Sequence, residues 1–136
     1  MKTKRKILLV LVVGLVAAAL IQLIPGCGFF GKMKEEEQIL STYHFEQSAF
    51  HDLKDGEYFG ECVLPLKSAR VKVTVAQGAI KQIDLLEHSH GPGKSGEGVI
   101  AAVISKQSLH VDAVSGATKS SLGVIKAIEN ALYRKK

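Results

Sequence analysis

The sequence has no tryptophan, two cysteines and three prolines, and aromatic side chains make up only 6% of it. Any core must therefore rest on Val, Ile, Leu and Ala. Of the two cysteines, Cys27 lies next to an apolar segment and Cys62 in a predicted strand, so no intrachain disulfide framework is expected. A small buried hydrophobe is the role expected of Cys62. Basic and aromatic residues are not interleaved as on a nucleic-acid surface, so no nucleic-acid partner is expected. No internal repeat is found, and no Ser/His/Asp set or carboxylate pair suggests hydrolytic chemistry.

The formal net charge is +5, and Lys2, Lys4, Arg5 and Lys6 carry four of the positive charges. From Asp52 onward twelve Lys/Arg face nine Asp/Glu, so the rest is only mildly basic. Behind the basic cluster, Ile7 to Ile24 is apolar except for Gln22. Eighteen helical residues span about 27 Å, close to a bilayer's hydrocarbon thickness. The leading charges would stay cytoplasmic and send the remainder outward. Residues 1–27 are thus expected to be a signal peptide or membrane anchor, with the protein on the outer face of a cell membrane. Ile24-Pro25-Gly26-Cys27 resembles a bacterial lipobox, in which Cys27 would carry lipid. The alternative is an uncleaved helix ended by Pro25 and Gly26.

Residues 28–51 read as a spacer, in which Lys34 to Leu40 could form a short polar helix supported by contacts elsewhere. From Asp52 to Lys136 the pattern becomes that of a folded domain. Tyr58 to Val63 reads as a strand, Arg70 to Ala76 alternates cleanly, and Gln77-Gly78 turns the chain into a third strand, Ile80 to Leu86. A glycine-rich loop follows from Ser89 to Gly98, then an apolar helix from Val99 to Ser105. A last helix after Thr118 repeats Leu122, Ile125, Ile128 and Leu132 at helical spacing. The expected fold is α+β: a small antiparallel sheet covered by two helices, preceded by an N-terminal hydrophobic helix.

The segment Asp112-Ala113-Val114-Ser115-Gly116-Ala117-Thr118 is a glycine-containing turn opening a helix. Amides in the first helical turn lack internal partners, and the dipole favours an anion there. A phosphate near Thr118 would meet free N–H groups, with Lys119 adding charge. Taken alone, the pattern is better read as an ordinary N-cap by Thr118 or Ser115, because Ser and Thr caps are common.

This segment resembles the D-x-x-[ST]-G-A-[TS] motif of the FMN-binding domain family, which includes flavin-carrying subunits of sodium-pumping NADH:quinone reductase and of Rnf complexes. The resemblance runs from about Asp55 to Tyr133. It implies that FMN is esterified through its phosphate to Thr118, donated from FAD by a Mg-dependent flavin transferase. Asp112, Ser115, Gly116 and Ala117 would form the recognition sequence. The implied function is electron relay by an exported flavoprotein with membrane or extracellular redox partners. A non-redox ligand- or partner-binding module and a small flavin-dependent reductase are the alternatives. His88 and His90, in the segment that borders the flavin in related domains, are candidates to hydrogen-bond its ring. As a metal site the pair lacks companion ligands. Gly93-Lys94-Ser95 is not a P-loop, because His88 stands where that motif needs glycine.

Overall fold

The computed structural model describes residues 6–7, 10–16, 26–45, 50, 52–89 and 96–133. The chain divides into two compact units, Met1–Lys34 and Glu35–Lys136. In the first, residues 10–16 are helical and exposed, and helix α1, Gly26–Ser41, begins. Residues 8–9 and 17–24 of the expected anchor lie outside the described residues, as does the Cys27 side chain. Among the described residues no helix is long and apolar enough to cross a membrane.

The second unit contains a three-stranded antiparallel sheet in the order β1 (Gly56–Val63), β2 (Ser68–Ala76), β3 (Ala79–Ser89). A 3-10 turn at Gly96–Gly98 leads into α2 (Val99–Lys106), and α3 (Thr118–Tyr133) follows. This is the expected α+β fold. In β2 the alternation is strict: Val71, Val73 and Val75 are buried. Arg70 and Lys72 project from the opposite face. There Arg70 pairs with Glu61 and Glu87, and Lys72 with Glu57 and Asp84, at 3.3–3.6 Å. These exposed ion pairs set register more than they add stability.

The buried face of the sheet meets α3 through Val124, Ile125 and Ile128, and α2 contributes Val99 and Val103. Each such fully buried side chain contributes roughly 1.5–3 kcal/mol by leaving water. Cys62 is buried as expected, with Sγ 3.5 Å from the Tyr43 hydroxyl. Burial pushes both the Cys62 thiol and the Tyr43 phenol up from their ordinary pKa values.

The compact unit begins well ahead of Asp52. Leu40 and Phe50 join the core, and Glu36 is buried, accepting from Lys67 Nζ (2.9 Å) and the Leu66 amide (3.2 Å). The helix foreseen around Lys34 to Leu40 thus has the outside contacts it needs. A buried carboxylate is costly unless paired, and Lys67 pairs this one.

Strand β3 alternates poorly because it bulges twice. Its pairing with β2 skips Lys81 and then Leu86, so Ile80, Ile83 and Leu85 all face the core while Leu86 is exposed. The turn before it has Gln77 at φ 56° and Gly78 at φ 72°, the two left-handed residues of a tight hairpin. Asp55 Oδ1 accepts from the Gly78 amide at 3.0 Å.

Near its start, β3 is clamped by a side chain. Gln107, in the left-handed position after α2, accepts from the Ile80 amide and donates to the Ile80 carbonyl, both at 2.8 Å. At this residue a side-chain amide pairs both backbone groups on the outer edge of β3. Gln107→Ala should leave both backbone groups unpaired and cost about 1–3 kcal/mol, measured by urea unfolding. A second expectation concerns acid. The Gly78 and Gln77 amides hold the Asp55 carboxyl below its ordinary pKa. Its contribution is therefore complete above the unfolded-state carboxylate pKa and is lost as pH falls through the lower folded value. Asp55→Asn, which keeps an acceptor but cannot titrate, should flatten the acid limb of the stability profile.

Candidate flavin site

The site is built at the N-terminus of α3. Asp112 to Val114 belongs to no regular element, and Val114 to Ala117 closes a turn in which the Ala117 amide donates to the Val114 carbonyl at 2.9 Å. Gly116 occupies the third position of that turn at φ 79°, where a side chain would be strained. The first helical bond runs from the Ser121 amide to the Ala117 carbonyl at 2.9 Å. The amides of Thr118, Lys119 and Ser120 precede it and have no intrahelical acceptor.

Ser121 fixes the turn to the helix. Its fully buried hydroxyl donates to the Ala117 carbonyl at 2.9 Å and accepts from the Val114 amide at 3.0 Å. The turn is thereby held by the helix it opens. Gly96 closes the other side: it is buried, and a Cβ there would collide with the backbone of Ser120 and Ser121. Sequence reasoning placed Gly96 and Gly98 in a flexible loop. They form a 3-10 turn instead, in which Gly96 packs on α3 as only glycine can, while Gly98 is exposed. Gly91 and Gly93 lie outside the described residues.

Thr118 is exposed, as are Asp112, Ser115 and Gly116, while Ala117 is buried. Among the described residues neither the Thr118 nor the Ser115 hydroxyl is engaged in a hydrogen bond, so neither acts as the N-cap. Lys119 is partly exposed, with Nζ 3.9 Å from the Glu37 carboxylate, a loose surface pair.

His88 is brought to the same end of the sheet. The bulge at Leu86 returns His88 to the core side opposite Ala69, with its side chain 5% exposed. Its Nδ1 lies 3.5 Å from Glu97 Oε1. His88 lines a narrow cleft with Lys67, Ala69, Lys119, Ser120 and Gly123. A solvent-facing fate for His88 is thus excluded; His90 lies outside the described residues. Among the described residues no group of side chains could hold a metal.

Two features escaped sequence reasoning. Ser121 had a weak signal, as a second serine in the first turn of α3. Gly96 had none, being one of several glycines in one loop.

The arrangement suits a phosphorylated cofactor: a free hydroxyl stands at the first position of a helix whose leading amides are unpaired. Residues 67–133 match the family described as FMN-binding domain. Through these residues the chain belongs to that family. It is a flavin-binding protein, and its cofactor is FMN. An uncharacterized protein of Treponema pallidum (strain Nichols) is 34% identical over 86 residues, which are 61% of this chain and 24% of that protein. The FMN-binding chain thus spans well under half the length of the relative it matches.

Ser121→Ala should leave the Val114 amide without its acceptor and cost about 1–3 kcal/mol. Hydrogen exchange at Val114 should accelerate more than at Ile128 in the same helix. Equal protection in variant and parent would show that Ser121 does not hold the turn.

Proposed function

We propose that the chain is an exported, membrane-anchored flavoprotein that relays electrons through FMN held by a phosphoester bond to Thr118. The observation that carries this reading is the uncommitted, exposed Thr118 hydroxyl at the start of α3. A threonine needed for capping would have its oxygen engaged by the helix amides. Here Ser121 braces the turn and leaves Thr118 available.

The chain's residues have separate tasks. The Ser115–Gly116 turn presents Thr118 outward, where a flavin transferase can read Asp112, Ser115, Gly116 and Ala117. In the transfer, Thr118 Oγ1 bonds to the phosphorus on the FMN side of FAD, the pyrophosphate P–O bond breaks, and AMP leaves. The hydroxyl proton goes to a base of the transferase, whose Mg²⁺ offsets the pyrophosphate charge. Afterwards the α3 amides and Lys119 stabilise the phosphodiester charge. His88, which lines the cleft with Lys119 and Ser120, is the side chain proposed to hydrogen-bond the ring. When bound, FMN supplies a centre that takes up and gives back one or two electrons.

A covalent tether supports work outside the cytoplasm, where a dissociating cofactor would be lost. The apolar run from Ile7 to Ile24 behind a basic cluster supports that location, with Cys27 as the lipid-bearing residue if the segment is cleaved. Redox partners at the membrane or beyond it would donate and accept the electrons.

Co-expression with a flavin transferase should yield a yellow protein whose mass exceeds the sequence mass by FMN less one water, on the peptide containing Thr118. Thr118→Val should remain colourless with stability changed by no more than about 0.5 kcal/mol, since the hydroxyl bonds nothing in the fold. Thr118→Ser retains the nucleophile and should still be modified. An unmodified parent under these conditions would leave a non-redox binding module as the better reading.

A further inference from the structure

We propose that the first half of α1, residues 28–34, is a membrane-interface element that beds its aromatic face into the headgroup region of an anionic bilayer. This rests on the membrane location proposed above, but it assigns a lipid-binding surface to a segment that reads in sequence as a spacer.

The segment Gly28-Phe29-Phe30-Gly31-Lys32-Met33-Lys34 is helical and described throughout. Phe29 is 51% exposed, Phe30 72% and Met33 38%. The Phe29 and Phe30 rings meet edge to face at 6.3 Å, forming one apolar patch. At 3.6 residues per turn, Phe29, Met33 and Phe30 fall within an arc of about 100°. Lys32 and Lys34 fall on its two flanks, each about 40–60° beyond the arc. Lysines so placed can lay their stems along the bilayer surface and keep their charge among the phosphates.

The same helix shows what a covered stretch looks like. Glu36 and Leu40 continue the stripe of Phe29 and Met33 at spacings of three and four residues, and both are buried. The first half of the helix carries exposed apolar side chains along the same stripe.

Continuity with the apolar segment identifies the occupant. The patch begins five residues after Ile24, the end of that segment. Both anchor readings bring it to the bilayer surface: a spanning helix would emerge there, and a lipidated Cys27 would sit there. The charge on the exposed side chains changes sign where the surface should end, from Lys32 and Lys34 to Glu35 and Glu37. Anionic headgroups attract the first pair and repel the second set.

The lack of tryptophan makes the test clean. The full chain carrying Phe30→Trp, and separately Gln38→Trp on the exposed side of α1, would be reconstituted without flavin transferase. The vesicles would contain phosphatidylglycerol and phosphatidylcholine with brominated acyl chains. The indole of the Phe30→Trp chain should emit to the blue and be quenched about twofold relative to unbrominated vesicles, as at an interfacial depth. The Gln38→Trp chain should emit as in water and not be quenched. Adding Lys32→Glu and Lys34→Glu to Phe30→Trp should reduce the quenching. Vesicle-bound protein whose position-30 indole is unquenched would overturn this inference alone. Protein that does not float with vesicles would overturn both it and the membrane anchoring.

Discussion

The N-terminal junction of α3 depends on one buried hydroxyl. Ser121 joins the Val114 amide to the Ala117 carbonyl, so the turn that presents Thr118 and the helix that follows form one unit. An unpaired amide at Val114 would cost more than the bond itself contributes, which keeps the turn shut. Because Ser121 does this work from inside the helix, Thr118 has no structural duty.

The rest of the second unit holds that junction in place. Gly96 brings the 3-10 turn against the α3 backbone, and the valines of β2 press the sheet onto the same helix. Glu36 and Lys67 tie α1 to the loop between β1 and β2, while Glu37 lies within 3.9 Å of Lys119 beside Thr118. The last turns of α1 are thus part of the unit that carries the site.

Much of the fold was legible because its signals are local. Val71, Val73 and Val75 alternate, Gln77-Gly78 is a hairpin turn, and Leu122, Ile125 and Ile128 repeat at helical spacing. The candidate site was legible for a different reason. The motif from Asp112 to Thr118 is contiguous, so residue order alone brings its members together. What was less legible was β3, where two bulges break the period that reveals a strand. The part of the domain before Asp52 was also obscure, because a buried glutamate looks like any surface glutamate until its lysine is found thirty-one residues away.

The sequence by itself determined the three strands, the hairpin between the second and third, the helix faces and the FMN-binding motif, since each is written in neighbouring residues. Only the tertiary structure decided that Ser121 and not Thr118 braces the turn, that Gly96 must be glycine, and that His88 faces the cleft. The last follows from one skipped residue: the bulge at Leu86 reverses the side on which later side chains emerge, and periodicity carries no record of where a strand bulges. Long-range contacts of this kind are set by the packing of whole elements, and the chain spells out those elements without spelling out where they touch.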